Sequence, residues 1–300
     1  MVAKTNILAE LVSNAAFEFT TPRTLKEVDN LVTIVENNLL KGTAVEVTVH
    51  RETRENADIL ISLLAERDYV VAPHVPIRIH SSSTLASTLD SYAKIGITRI
   101  FVTGGDEYPA LGDLVTALDG LKFMKREGYI RYRSEGNNVP FTEVGVPAFP
   151  DGHPYLSREE AMESLIAKSE FATTITTDVG FSAKKIEQYI HYLRSHGIHT
   201  PVFIGVMGAI NRTRMRKIAK GIGMSLPAQI RRGIDLLFDG YGQNVIFLNE
   251  PYQADDFLRK LEPLVSDPKL NVAGIIYYTI GGVEPTFKSR DNTHKTLTLG

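Results

Sequence analysis

Cysteine is absent from all 300 residues, which excludes disulfides, thiolate nucleophiles and zinc–thiolate sites. An excess of either charge is also missing. Thirty-three Lys and Arg stand against 35 Asp and Glu, a net charge of −2, so nothing attracts the chain to nucleic acid or an acidic membrane surface. No apolar run approaches a membrane span. The N-terminus shows no basic start followed by an apolar stretch and a small-residue cleavage site. A soluble, cytoplasmic chain is the simplest expectation. Several chemical signatures are lacking too. No Gly-x-Gly-x-x-Gly follows the first strand-like run, and no Walker loop or Gly-x-Ser-x-Gly elbow occurs. His191 and His196 stand five apart on a predicted helix and share no face, and no His-Glu-x-x-His is present, so no metal is expected.

What is present is a regular alternation. Apolar residues make up 43% and charged residues 23%, as in a protein with a real core. Strand-like runs occur at Ala15–Phe19, Ala44–His50, Tyr69–Val75, Arg99–Thr103, Glu143–Phe149, Thr173–Thr177, Val202–Val206 and Val272–Thr279. Several are nearly all apolar, as in parallel strands covered on both faces. Between them lie helix patterns. Thr24-Leu25-Lys26-Glu27 and Ser157-Arg158-Glu159-Glu160 are capping boxes, and Ser182 caps a helix with Ile186, Ile190 and Leu193 on one face that ends at Gly197. Eight strands alternating with helices predict an α/β fold, a (β/α)8 TIM barrel, as a single domain over residues 1–300. A doubly wound open sheet is the competing architecture. The connection from about Gly208 to Asn271 is the longest and is expected to hold two or three helices, with a short strand at Asn244–Leu248. From about residue 283 the chain is polar, and a partly ordered tail is expected.

In such a barrel the site lies at the C-terminal ends of the strands. Glu18 ends the first, between Phe17 and Phe19. A carboxylate there is costly to bury unless it is paired or keeps a proton, and keeping a proton makes a general acid. A plain salt bridge is the equal alternative. Thr48 and His50 follow the second strand, His74 ends the third, and Gly104-Gly105-Asp106 ends the fourth. Phe149 to Pro154, with Asp151 and His153, follows the fifth. Thr177 and Asp178 end the sixth, Asn211 and Arg212 follow the seventh, and Tyr278 ends the eighth. Each has an ordinary reading: a strand-end histidine bonded to backbone, a Gly-Gly-Asp turn, a rim aromatic, a solvated basic helix face for Arg212, Arg214, Arg216 and Lys217.

Taken in order, these motifs resemble the methylenetetrahydrofolate reductase family. Phe17-Glu18-Phe19-x-x-Pro22-Arg23 is similar to its Phe-Glu-Phe-Phe-Pro-Pro-Lys/Arg. Pro73-His74 is similar to its Pro-His-Leu-Thr, Gly105-Asp106 to its Arg-Gly-Asp, and Pro150-Asp151-Gly152-His153-Pro154 to its Tyr-Pro-Glu-x-His-Pro. The likeness runs from about residue 15 to 282. It implies a barrel that binds FAD and uses NADH or NADPH to reduce 5,10-methylenetetrahydrofolate to 5-methyltetrahydrofolate. Glu18 then matches the acid that protonates the folate, and Asp106 the carboxylate near flavin and folate. Thr48, His74, Gly104, Gly105, Phe149, His153 and Lys168 fall at FAD-contacting positions. Thr177, Arg212 and Tyr278 fall at substrate-contacting ones.

The chain departs from that pattern at chemically important places. An arginine becomes Gly104, a tyrosine becomes Phe149, the folate-binding glutamine becomes Thr177, and a stacking phenylalanine becomes Arg212. Three readings follow: a flavin-dependent reductase, a flavin-free or C1-catabolic folate enzyme, and a folate- or flavin-binding protein without turnover. Tetrahydrofolate is the implied substrate. No nucleic-acid or membrane partner is expected, and a homo-oligomer stays open.

Overall fold

Thr24 starts a helix in the way its sequence requires. Its hydroxyl accepts the Glu27 N–H while the Glu27 carboxylate accepts the Thr24 N–H, which satisfies two donors that a helix start leaves bare. The helix, α2 (Leu25–Asn38), buries Val28, Leu31, Val32 and Val35 along one stripe. Ser157 and Glu160 close the second box in the same manner ahead of α6 (Arg158–Ser169). Ser182 caps α7 (Ala183–Ser195), which buries Ile186, Ile190 and Leu193. These contacts come from a computed structural model, which describes residues 6–105, 109–132, 139–153, 155–180, 182–210 and 254–299.

The strands are β1 (Ala16–Phe19), β2 (Ala44–Val47), β3 (Val70–Pro76), β4 (Arg99–Thr103), β5 (Glu143–Ala148), β6 (Thr174–Thr177), β7 (Val202–Met207) and β8 (Val272–Tyr278). They close in sequence order into a parallel eight-stranded barrel, the expected (β/α)8 architecture. Boundaries shift by at most one residue, except that β2 stops at Val47 and leaves Thr48 and His50 in the following loop. The remaining described helices are α1 (Ile7–Ser13), α3 (Arg54–Ala65), α4 (Ser82–Lys94), α5 (Ala117–Arg126), α8 (Asp255–Ser266) and α9 (Val283–Leu299). The strand expected at 244–248 lies outside the described residues. Among those residues, no helix is long and apolar enough to cross a membrane.

Chain contacts group the fold into two compact units. One comprises Phe17–Pro147 and Met162–Ile175, the other Met1–Ala16, Ala148–Ala161 and Thr176–Gly300. In the first, register pairs Phe17 with Val45 and Phe19 with Val47, all buried. The side chains between them point to the opposite face. In the second, α1 packs against both α8 and α9.

The stretch read as a polar, partly ordered tail is instead helix α9. Its polarity conceals a buried stripe: Thr286, Phe287, Ser289, Thr293 and Leu297. Its threonines satisfy themselves locally or across the interface, Thr286 donating to Gly282 O and Thr293 to Asp255. Asn6 ties the N-terminal end in, donating to Leu297 O at 3.0 Å. Phe287 is the large apolar side chain of that stripe and has no solvent exposure. Phe287→Ala is therefore expected to destabilise the protein by about 3–5 kcal/mol in urea unfolding, as for other buried aromatics. A loss under about 0.5 kcal/mol, the range of surface changes, would return this segment to the status of a tail.

Candidate active site

Glu18 and Glu46 are register partners across β1 and β2, and Glu46 pairs in turn with Ala72 on β3. His74 stands two residues beyond Ala72, on the same face of its strand. The three side chains meet. His74 Nε2 lies 3.1 Å from Glu46 Oε2 and 3.6 Å from Glu18 Oε2. The Phe101 ring packs on the imidazole with centroids 4.7 Å apart. Glu18 is only 8% exposed.

Burial controls the chemistry of this group. It pushes the Glu18 carboxyl up to about 7; the positive charge of His74 opposes the rise and the negative charge of Glu46 adds to it. For His74, burial favours the neutral ring, but the Glu46 hydrogen bond and the charges of Glu18 and Glu46 outweigh it, and its pKa rises. Near neutral pH, Glu18 can therefore hold a proton and release it. The three ligating atoms also lie within 4.8 Å of one another, a spacing that could hold a divalent cation. The sequence reading found no metal pattern because these residues come from three strands and share no local spacing.

Glu46 was absent from the sequence reading. A signal was present: Ala44-Val45-Glu46-Val47 places an acid in an apolar strand, as Ala16-Phe17-Glu18-Phe19 does. Strand alternation alone puts each acid on the face opposite its apolar neighbours. Only the register shows that they meet.

The other expected positions are used in different ways. Thr48 spends its hydroxyl on the frame, accepting the Thr21 N–H at 3.2 Å, while its carbonyl accepts the Thr21 hydroxyl. Gly104 and Gly105 form a turn pinned by Arg78, whose backbone N–H donates to Gly104 O at 3.0 Å and whose guanidinium donates to Gly105 O at 3.1 Å. Gly105 adopts φ +81°, a conformation glycine reaches without strain. Lys168 is placed apart, in the last turn of α6 on the side where β6 begins. Burial pulls its amine down to about 8. Asp106 and Arg212 lie outside the described residues.

In the second unit Phe149 and His153 stack edge to face at 4.7 Å, and His153 Nδ1 accepts the Tyr155 N–H at 3.2 Å. Thr177 is fully buried. Its hydroxyl accepts the Gly205 N–H and its carbonyl accepts the Tyr278 hydroxyl, both at 2.9 Å. Asp178, the next residue, has both carboxylate oxygens buried with no hydrogen-bond partner among the described residues. Burial first, and the nearby Asp151 charge second, push its pKa well above the usual carboxylate range.

The positions carried over for FAD thus present few free groups among the described residues. The Thr48 hydroxyl accepts a backbone N–H, His74 is held by Glu46, Gly104 contributes no side chain, and Lys168 sits in the last turn of α6. Among the described residues, this donor set offers few N–H groups or cations to the pyrophosphate of a flavin dinucleotide.

Comparison with known proteins agrees with the motifs. A family model described as methylenetetrahydrofolate reductase matches residues 4–239. A Caenorhabditis elegans protein named "Probable methylenetetrahydrofolate reductase (NADPH)" is 24% identical over 227 residues, covering 72% of this chain and 33% of its own length. The chain therefore spans about a third of that relative. A solved structure described as an uncharacterized protein from Clostridium thermocellum that binds two copies of 5-methyl-5,6,7,8-tetrahydrofolic acid superposes with a TM-score of 0.60. It is 10% identical, and the match covers 98% of this chain and 100% of that one, a likeness of fold. By the extent of the family match, this chain belongs to the methylenetetrahydrofolate reductase family.

Proposed function

We propose that this protein reduces 5,10-methylenetetrahydrofolate to 5-methyltetrahydrofolate at the expense of NADH or NADPH. The observation that carries the reading is Glu18, a buried carboxyl at the end of β1 that burial keeps able to hold a proton near pH 7, with His74 3.6 Å away. The methylene group bridges two folate nitrogens and cannot accept hydride while both bonds hold. Glu18 donates its proton to N10, the C–N10 bond breaks with its electron pair going to N10, and the N5 lone pair forms the C=N5 iminium. Hydride from the reduced nicotinamide then adds to the iminium carbon and gives the N5-methyl group. The sum is one folate reduced, one nicotinamide oxidised and one proton consumed. His74, held by Glu46, is the neighbouring proton carrier that can recharge Glu18. Family membership supports the substrate class, as does a protein of similar fold that binds 5-methyltetrahydrofolate.

A flavin would supply an intermediate station for the hydride in this family. The absent side chain at Gly104 and the missing hydroxyl at Phe149 favour the route without it. The purified protein tests both points. It is expected to show no flavin absorbance, to release no flavin on denaturation, and to oxidise NADH or NADPH only when methylenetetrahydrofolate is present. Activity is expected to survive a chelator, since this mechanism needs a proton and not a cation at the Glu18–Glu46–His74 group. Stoichiometric bound flavin would overturn the flavin-free route. Folate binding without nicotinamide oxidation, aerobically and anaerobically, would make the protein a binder and not a reductase.

A further inference from the structure

We propose that Glu18, Glu46 and His74 form an inhibitory site for one small divalent transition-metal cation, with zinc as the reference ion. Binding stands on the geometry of the three side chains. Inhibition rests on the reductase reading above, in which Glu18 supplies the proton. The three groups come from three neighbouring strands and meet on one face of the sheet through register alone. His74 Nε2 lies 3.1 Å from Glu46 Oε2 and 3.6 Å from Glu18 Oε2, and the three ligating atoms all fall within 4.8 Å of one another.

Those separations select the kind of ion. Zinc bonds of about 2.0–2.2 Å to nitrogen and oxygen set tetrahedral ligands roughly 3.3–3.6 Å apart. The two histidine edges sit at the top of that span and just below it, and only the edge between the carboxylates has to close. Calcium takes six to eight oxygens at about 2.3–2.6 Å, and magnesium keeps to oxygen and water, so neither matches three donors that include an imidazole. One imidazole and two carboxylates suit a first-row transition ion and leave a coordination position for water.

Further features distinguish this group from a mere pair of acids. Phe101, the register partner of His74 on β4, packs on the imidazole and fixes the ring plane. Phe101 is itself confined, because its ring fills the space beside Gly145, where a Cβ would lie 2.6 Å from it. Nε2 carries at most one hydrogen and serves one carboxylate at a time, whereas a divalent cation serves both. Solvent reaches the group, since each of the three side chains keeps 11–14% of its surface exposed. Coordination needs deprotonated ligands, so the cation sends the hydrogen on Nε2 and any proton on Glu18 into solvent. A zinc-bound Glu18 then has no proton to give to the folate nitrogen.

The experiment uses the full chain, stripped of metal by a chelator and dialysed, as wild type, Glu46→Gln and His74→Gln. Zinc chloride is titrated by calorimetry, with magnesium chloride as the oxygen-seeking comparison. Oxidation of NADH or NADPH with methylenetetrahydrofolate is then followed in wild type across the same zinc range. Wild type is expected to bind one zinc that both variants lose, and to bind magnesium at least about 100-fold more weakly. Turnover is expected to fall in step with zinc occupancy and to return when a chelator is added. Each substitution removes a direct ligand, so zinc affinity is expected to drop at least about 10- to 100-fold, the cost of losing even an outer partner of a ligand. The substitutions lie on different strands, so a folding failure in one leaves the other to decide. No zinc bound by wild type, or equal binding in wild type and variants, overturns the site. Zinc bound here with turnover unchanged overturns the inhibition. A chain without turnover at any zinc concentration sinks the reductase reading and leaves the calorimetry to judge the site by itself.

Discussion

Glu18→Gln is expected to reduce methylenetetrahydrofolate at least about 100-fold more slowly than wild type, the lower end of what a positioned general acid contributes. Glutamine has the shape of the acid and no proton to give, so binding of 5-methyltetrahydrofolate should change far less than turnover. The wild-type rate should be level at acid pH and fall above about 7, because only protonated Glu18 can open the methylene bridge. In the variant that alkaline limb should vanish. Stability moves in the same pH window. The Glu18 pKa rises from 4.5 in the unfolded chain to about 7 in the folded one, so its contribution is complete below 4.5 and is lost as pH rises through 7. By pH 8 the loss amounts to roughly 3 kcal/mol at about 1.4 kcal/mol per pKa unit. Glu18→Gln should therefore be more stable than wild type in urea at pH 8 and close to it at pH 4. Wild-type turnover in the variant would end the acid assignment, whatever the stability data show.

Gly205→Ala is expected to have the second large effect, this time on the frame. A Cβ at Gly205 would lie 2.4 Å from Thr177 O, 2.7 Å from Asp178 O and 2.6 Å from the Tyr278 ring. Two of those atoms are backbone at the end of β6 and cannot rotate away. The strand would have to separate, and with it the Gly205 N–H bond to Thr177 and the Tyr278 bond to the same residue. Overpacking of this kind costs about 1–3 kcal/mol, and a backbone clash belongs at the upper end. Gly104→Ala is the control. Nothing lies within 4 Å of the added carbon and its φ is unstrained, so its stability should stay within about 0.5 kcal/mol of wild type. Similar unfolding midpoints for the two variants would show that the β6–β7 contact is softer than its geometry.

The two capping boxes and the Ser182 cap were legible because each is written in three or four consecutive residues. The polar tail was misread for the complementary reason. In α9 the buried face is built partly from Thr286, Ser289 and Thr293, which satisfy their hydroxyls by hydrogen bonds that composition does not reveal. Helix α1, with 7 residues, is too short to give a periodic signal, and packing against α8 and α9 holds it.

Alternating apolar runs and helix starts determined, from the sequence by itself, a parallel eight-stranded barrel, and they put a lone acid, Glu18, at the end of its first strand. Local pattern suffices for that, since strand periodicity and caps are properties of neighbouring residues. Tertiary structure alone decided which groups share that acid's surroundings. Glu46 and His74 stand 28 and 56 residues away and reach it only through lateral strand register. Thr177 turned inward to the frame, and Asp178 was left without a hydrogen-bond partner among the described residues, through contacts with β5, β7 and β8, whose distance along the chain no local pattern records.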